Sequence, residues 1–220
     1  MKIGVLSDTH DLLRPEVKAA LQDCSVILHA GDISSRAVLS ELQGLVQEVY
    51  AVRGNADESW GMDLPKSIDT TVCGLHVYMT HRKKDIPADI SGYDLVVYGH
   101  SHKYDDRTED GIRILNPGSC GPRRFVQPVT MAVIETDESG FSVQRLDLPH
   151  SGKEAGSVLK QGIDMRALVK KVMKETDKGH SIEQIAGKTG MEASLIEQIV
   201  RLYLTHPGVS EDGILGKMGI

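Results

Sequence analysis

The chain has 220 residues, 40% of them hydrophobic and 25% charged, and carries a formal net charge of −6. That length suits one ordinary domain, with or without a small appendage. The acidic balance excludes a protein built as a whole to lie on nucleic acid or on anionic lipid. No apolar stretch approaches the ~20 residues of a membrane helix. The amino terminus, MKIGVLSDTH, runs straight into a strand pattern rather than a secretory leader. Cys24, Cys73 and Cys120 stand at wide, unrelated spacings with no CxxC pair, which points away from a disulfide framework or a cysteine-type zinc site. A cytoplasmic globular protein is expected.

In chain order, Lys2 to Leu6 reads as a strand and Pro15 to Leu21 as a helix with proline in its first turn. Ser25 to His29 is a second strand, Ser34 to Leu42 a second helix, and Val46 to Val52 a third strand. This alternation is that of a parallel sheet flanked by helices, whose sites gather at the carboxyl ends of the strands. From Ser67 the connections shorten. Strands are expected at Ser67–Val72, Leu75–Thr80, Leu95–Tyr98, Lys103–Arg107, Ile112–Leu115, Thr130–Glu135 and Phe141–Leu146. Asp110-Gly111 is a hairpin signal between two of them. The sum is a mixed α/β fold of two packed sheets with helices outside. Near His150 the pattern changes to helical periodicity, and residues 153–220 are close to neutral, with ten Lys and Arg against nine Asp and Glu. The division expected is 1–150 for the α/β domain and 151–220 for a helical tail.

Five short motifs follow apolar strand runs: Asp8-Thr9-His10, Gly31-Asp32, Gly54-Asn55, Thr80-His81 and Gly99-His100-Ser101-His102. Each leaves polar side chains where a strand gives way to a loop. Two aspartates, one asparagine and four histidines make a mixed oxygen and nitrogen donor set. Such a set suits Mn, Fe, Co, Ni or Zn better than Ca or Mg. Seven ligands exceed the needs of one ion, whereas two ions sharing a bridging carboxylate would use them all. Two metals about 3.5–4 Å apart form a clamp for in-line attack on phosphorus. Taken singly, a Gly-Asp or Gly-Asn is an ordinary turn dipeptide; the ordered series of five is what turn chemistry does not supply.

The series SDTHD, HAGD, VRGNAD, MTH, YGHSH and NPGS resembles the calcineurin-like metallophosphoesterases, and in particular their small bacterial and archaeal phosphodiesterase branch. The resemblance covers roughly residues 1 to 148. It implies a four-layer α-β-β-α sandwich, here with a small all-helical C-terminal extension. It also implies one metal held by Asp8, His10, Asp32 and His102 and another by Asp32, Asn55, His81 and His100. Asp32 would bridge the pair, and a hydroxide between the ions would be the nucleophile. The cofactors expected are two divalent ions, manganese first, with Ni, Fe, Co or Zn as substitutes. The expected substrate is a small phosphate ester, a diester ahead of a monoester.

The sequence departs from the family pattern in two places. Ala56-Asp57 stands where many relatives carry a histidine that protonates the leaving group, so the general acid is unassigned. Asp57 is either a stand-in or a turn-stabilising residue. Arg82-Lys83-Lys84 replaces a Gly-His pair, either as a phosphate-directed rim that would make Arg82 a substrate contact or as a solvated charge run. Asn116-Pro117-Gly118-Ser119 with Pro122-Arg123-Arg124 resembles another family segment and makes Arg123 a candidate phosphate contact, with Asn55 as the third. The remaining histidines, His29, His76, His150, His180 and His206, are expected to pack or to be solvated, and Cys120 to be a buried bystander.

In the tail, Ile182 to Val200 with Gly190 in the turn has helix-turn-helix spacing. Glu192 and Glu197 precede the single cation Arg201 on the second helix, which would repel phosphates. A packing or interaction module is therefore expected rather than a DNA reader, and homo-oligomers through the tail are an option. The rivals to an enzyme are a catalytically weak scaffold of the same fold and, below it, a DNA-binding regulator. Retention of all seven ligand residues favours the enzyme.

Overall fold

The computed structural model describes residues 1–122, 127–149, 164–191, 193–206 and 208–218. These fall into two compact units, one up to residue 149 and one from residue 164.

In the first unit, β1 (Lys2–Leu6), α1 (Pro15–Leu21), β2 (Val26–His29), α2 (Arg36–Gln43) and β3 (Glu48–Ala51) follow in turn. Proline opens α1, where a missing N–H costs nothing, and the Ser35 hydroxyl caps α2 by accepting from the Val38 amide. The three strands pair in parallel, Ile3 opposite Val26 and Val26 opposite Glu48. β9 (Thr130–Asp137) adds to β1 antiparallel, and β10 (Gly140–Asp147) adds to β9. The order is β10-β9-β1-β2-β3.

The second sheet holds β4 (Ser67–Val72), β5 (Leu75–Thr80), β6 (Leu95–Val97), β7 (Tyr104–Glu109) and β8 (Ile112–Pro117), in the order β4-β5-β6-β8-β7. Asp110 and Gly111 join β7 to β8 with φ of 49° and 83°, the left-handed pair that a two-residue hairpin turn demands.

Side-chain alternation sorts the layers. Ile3, Val5, Val26 and Leu28 from one sheet meet Val77, Met79, Leu95, Val97 and Leu115 from the other. On the far side of the first sheet, Leu6 and Ile27 pack against Val17, Leu21, Val38, Leu39 and Leu42 of the two helices. Each fully buried leucine contributes ~1.5–3 kcal/mol by leaving water. On the far side of the second sheet, Val96, Tyr98, Ile112 and Ile114 are covered by Ile86, Ile90 and Tyr93. The α-β-β-α layering therefore holds, with residues 82–94 and one 3-10 turn at Lys83–Asp85 as its last layer.

The second unit contains α3 (Met165–Asp177), α4 (Ile182–Thr189), α5 (Ala193–Thr205) and α6 (Glu211–Met218). Leu168, Val169, Val172, Ile185, Ile196, Ile199 and Ile214 form its own core. Ser181 and Gln184 close a capping box at the start of α4, and Gly190, at φ 70°, ends it in the left-handed conformation. Glu175 of α3 accepts from Lys178 at 2.5 Å and from Lys188 of α4 at 2.6 Å, tying those helices together. α4 and α5 follow one another across a short turn at Gly190, and α5 carries Arg201 as its one cation.

Candidate metal centre

All seven expected ligand residues lie in loops that leave strands of the first unit. Asp8 and His10 follow β1, Asp32 follows β2, Asn55 follows β3, His81 follows β5, and His100 and His102 follow β6. Five of them have left-handed backbones although none is glycine: Asp8 at φ 56°, His10 at 43°, Asp32 at 56°, His100 at 69° and His102 at 58°. Each such residue costs of order 1–3 kcal/mol unless its surroundings impose it, and such strain gathers where function requires it.

The surroundings are explicit. The Asp8 amide donates to Gly31 O at 2.9 Å, and the His10 amide donates to Asp32 O at 3.0 Å, so the first two loops are laced together. Buried His29 strengthens the lacing. Its Nδ1 accepts from the Gly31 amide at 3.2 Å, which leaves Nε2 to donate to the Thr9 hydroxyl at 3.0 Å. Complete burial pushes its pKa down to about 4, so the ring is neutral and serves as a brace. Asp57 resolves the general-acid question in favour of a turn-stabilising role. Fully buried, it accepts from the Ser34 amide at 2.7 Å and from the Gly54 amide at 2.8 Å, joining the second and third loops. Buried Asn116 donates to Gly99 O at 2.9 Å and Ser101 Oγ at 3.1 Å, and Ser119 Oγ donates to Asp8 O at 3.0 Å. The NPGS segment is thus scaffolding for the His100–His102 loop. His29 and Asn116 were not marked as supports by their sequence context, because their partners are backbone groups distant in sequence.

The ligand side chains converge as two clusters. Donor atoms of Asp8, His10 and His102 lie within 4.8 Å of one another, and so do those of Asp32, His81 and His100. In the first, His102 Nε2 is 3.2 Å from Asp8 Oδ1 and 3.4 Å from His10 Nε2. In the second, His81 Nε2 is 3.4 Å from Asp32 Oδ1. Asp32 also reaches toward the first cluster, its Oδ2 lying 3.8 Å from His10 Nε2. Asn55 borders a cavity of about 290 Å³ that His81 also lines.

Orphaned atoms test whether these residues suit a cation. Asp8 Oδ2 is satisfied by Ser7 Oγ at 2.6 Å and the His100 amide at 3.1 Å, yet buried Asp8 Oδ1 has no hydrogen-bond partner among the described residues. His81 donates from Nδ1 to Ala30 O at 2.7 Å, which turns Nε2 toward Asp32; that buried Nε2 is equally without a hydrogen bond among the described residues. Unsatisfied buried polar atoms carry a penalty of ~1–3 kcal/mol each. A divalent ion at each cluster would satisfy them, so the residues fit.

The electrostatics agree. Burial opposes ionisation of Asp32, but the adjacent His81 ring and the Ala56 N–H outweigh it and hold the carboxyl below its usual range. Asp8 is likewise held low by His102 and Ser7 against its burial. Both carboxylates are therefore charged and available to cations. Burial pushes His100 down, helped by His81 and Arg82, so it is neutral and able to ligate.

Of the substrate candidates, Asn55 and Arg82 both line the 290 Å³ cavity; Arg123 lies outside the described residues, as does His150. The Arg82-Lys83-Lys84 run divides: Arg82 borders the cavity, Lys83 rests 5.9 Å over the Tyr98 ring, and Lys84 is solvated. Arg82 is extended, with φ −109° and ψ 135°, so the loop needs no glycine. His76 and His180 are held by carboxylates and His206 by Leu202 O, all outside the site. Cys120 is a bystander, fully buried with its pKa pushed up to about 12 by burial. No described helix is long and apolar enough to cross a membrane.

Comparison with known proteins agrees with this geometry. The family profile of the calcineurin-like phosphoesterase superfamily domain matches residues 1–139. A phosphodiesterase of Methanocaldococcus jannaschii is 30% identical over 162 residues, spanning 64% of this chain and 96% of the relative. A probable metallophosphoesterase of Methanothermobacter thermautotrophicus is 34% identical over 147 residues, 60% of this chain and 85% of the relative. A solved archaeal phosphodiesterase superposes with a TM-score of 0.56 at 28% identity, covering 66% of this chain and all of the other. The zinc complex of Vps29 from Entamoeba histolytica shares the fold, with a TM-score of 0.51 at 21% identity over 67% of this chain and 99% of its own. The motif series, the two sheets and the paired donor clusters thus come together in one assignment: this chain belongs to the calcineurin-like phosphoesterase superfamily.

Proposed function

We propose that the chain is a phosphodiesterase with a dinuclear centre, in which Asp8, His10, Asp32 and His102 hold one ion and Asp32, Asn55, His81 and His100 hold the other. The observation that carries this reading is the pair of donor clusters, whose buried Asp8 Oδ1 and His81 Nε2 have no hydrogen-bond partner among the described residues. Manganese is the first choice of metal, with Ni, Fe, Co or Zn able to replace it. Two such ions would supply Lewis acidity to the phosphoryl group and an activated water as the nucleophile.

The protein's own residues do the positioning. Asp32 faces both histidine groups and is the natural bridge. Ala30 O holds His81 with its Nε2 inward, and the Ser7 hydroxyl and His100 amide orient Asp8. Asn55 and Arg82 border the cavity beside the second cluster, where they can hold the phosphoryl oxygens. No side chain is assigned as general acid, since both Asp57 oxygens are engaged by backbone amides. The three free cysteines accord with action in the cytoplasm. We assign residues 1–150 to catalysis and the helical region from 151 to packing or self-association.

The test is hydrolysis of bis-p-nitrophenyl phosphate and p-nitrophenyl phosphate by metal-stripped protein with manganese restored. Manganese-dependent turnover, faster on the diester, is expected. Turnover confined to the monoester would overturn the diesterase reading, and none on either would leave a scaffold.

A further inference from the structure

The cavity beside the second donor cluster is more than an entrance for one phosphoryl group. Its walls come from three stretches: Arg53 to Asn55 after β3, Lys66 and Ser67 at the start of β4, and Tyr78 to Arg82 at the end of β5. The Arg53 amide donates to Pro65 O at 2.8 Å, and the Thr80 side-chain Oγ1 donates to Lys66 O at 3.3 Å, so hydrogen bonds join the three stretches. At about 290 Å³ the cavity holds far more than the four oxygens of one phosphate.

Three cations line it: Arg53, Lys66 and Arg82. None is ion-paired among the described residues, although most other arginines of this unit, such as Arg107 and Arg113, have carboxylate partners. Arg53 is steadied instead by Met62, whose carbonyl lies 3.4 Å from Nη1. Glu58 and Asp85 border the same cavity and are exposed, so cations exceed carboxylates by one even with no metal counted. Arg82 directly follows His81 in the chain and lines the same cavity, which places one cation beside the cluster. Lys66 belongs to a different stretch of the wall. One phosphoryl group over the donor clusters would leave Arg53 and the exposed Lys66, both on the cavity wall, without an anionic partner. Tyr78, half-buried, supplies an apolar ring face in the same wall, and its hydroxyl is already donated to Asp85 O.

We propose that this cavity is a second anion subsite, formed by Arg53, Lys66 and Arg82, which selects phosphate esters whose alcohol arm carries a further phosphate. A nucleoside or sugar ester with a distal phosphate is the class that fits, its ring against Tyr78 and its second phosphate on the cations. The assignment of the reacting phosphoryl group rests on the reading in the preceding subsection; the anion subsite itself can be tested without turnover.

The probes are thymidine 5′-monophosphate and thymidine 3′,5′-bisphosphate, titrated calorimetrically against the metal-stripped full chain. The bisphosphate is expected to bind about five- to tenfold more tightly, the range for one or two partly exposed charge pairs. In Lys66→Met that ratio should fall toward one. Because the readout is a ratio within each protein, a general loss of folding or affinity cancels. Equal affinities in the unaltered chain, a ratio indifferent to Lys66→Met, or no binding of either compound at millimolar concentration would overturn the subsite. The p-nitrophenyl esters of the same two compounds, with manganese present, then report separately on the esterase. A lower KM for the 3′-phosphorylated ester is expected. Absence of hydrolysis with the binding ratio intact would sink the enzyme reading alone.

Discussion

A methyl group at Gly54 would sit 2.2 Å from Asp32 Oδ1 and 2.3 Å from the Asp32 amide nitrogen, so the third loop can approach the second only because this residue has no side chain. Gly54→Ala should cost ~1–3 kcal/mol of stability through forced backbone displacement. It should also depress metal-dependent hydrolysis far more than that loss explains, because the atom displaced belongs to Asp32, the proposed bridge. Denaturant midpoints and rates measured on one preparation check both parts. His29 gives a pH signature. Its folded value of about 4 lies below its ordinary 6.5, so between those limits the unfolded chain binds the proton that the folded chain refuses. Stability is therefore fully present above about 6.5 and lost progressively as pH falls to about 4, by about 3 kcal/mol for this group alone. Unfolding of the metal-free protein at pH 7 and pH 4.5, followed at Trp60, should show that loss; a flat profile would remove His29 as a neutral brace. The candidate ligand residues stood out in the sequence because metal chemistry restricts residue type. The left-handed backbones of Asp8, His10, Asp32, His100 and His102 did not, since tertiary hydrogen bonds impose them on residues that otherwise avoid that region.

Strand alternation and turn dipeptides made most elements readable. Lys2–Leu6, Pro15–Leu21, Ser67–Val72 and Leu75–Thr80 have the bounds that their residues suggest, and the remaining elements of the first unit differ by a few residues at their ends. Residues 82–94 were the least legible. Pro87 breaks any helical pattern, and only the docking of Ile86, Ile90 and Tyr93 on the second sheet gives the segment its course. The same segment shows why Arg82 was ambiguous: a run of three cations looks solvated until the strand before it fixes which of them faces a cavity. In the helical unit, local signals suffice. Ser181 accepts from the Gln184 amide while Gln184 answers to the Ser181 amide, so Ser181→Ala should cost ~1 kcal/mol. That cost should appear in helical circular dichroism of the unit, whereas Trp60 fluorescence, which reports on the first unit, should keep its midpoint. A shared shift in both signals would mean that the two units unfold together.

Across the whole molecule, each of the two units has apolar clusters of its own among the described residues. The five loops of the site all spring from the sheets of the first unit, and the apolar residues of the helical unit pack among themselves. A chain ending at residue 149 should therefore fold and retain manganese-dependent hydrolysis; an insoluble or inactive product would show that the helical region completes the first unit. The family profile ends at residue 139, before the helical unit begins.

The central claim is that two ions, bridged by Asp32, are needed for catalysis. The most direct measurement titrates metal-stripped protein with manganese, counting bound ions and diester hydrolysis in the same samples. The account predicts little activity at one equivalent and a plateau at two, with Asp32→Ala failing to retain the pair and staying near background. Full activity with a single ion, or hydrolysis by Asp32→Ala at the unaltered rate, would contradict it.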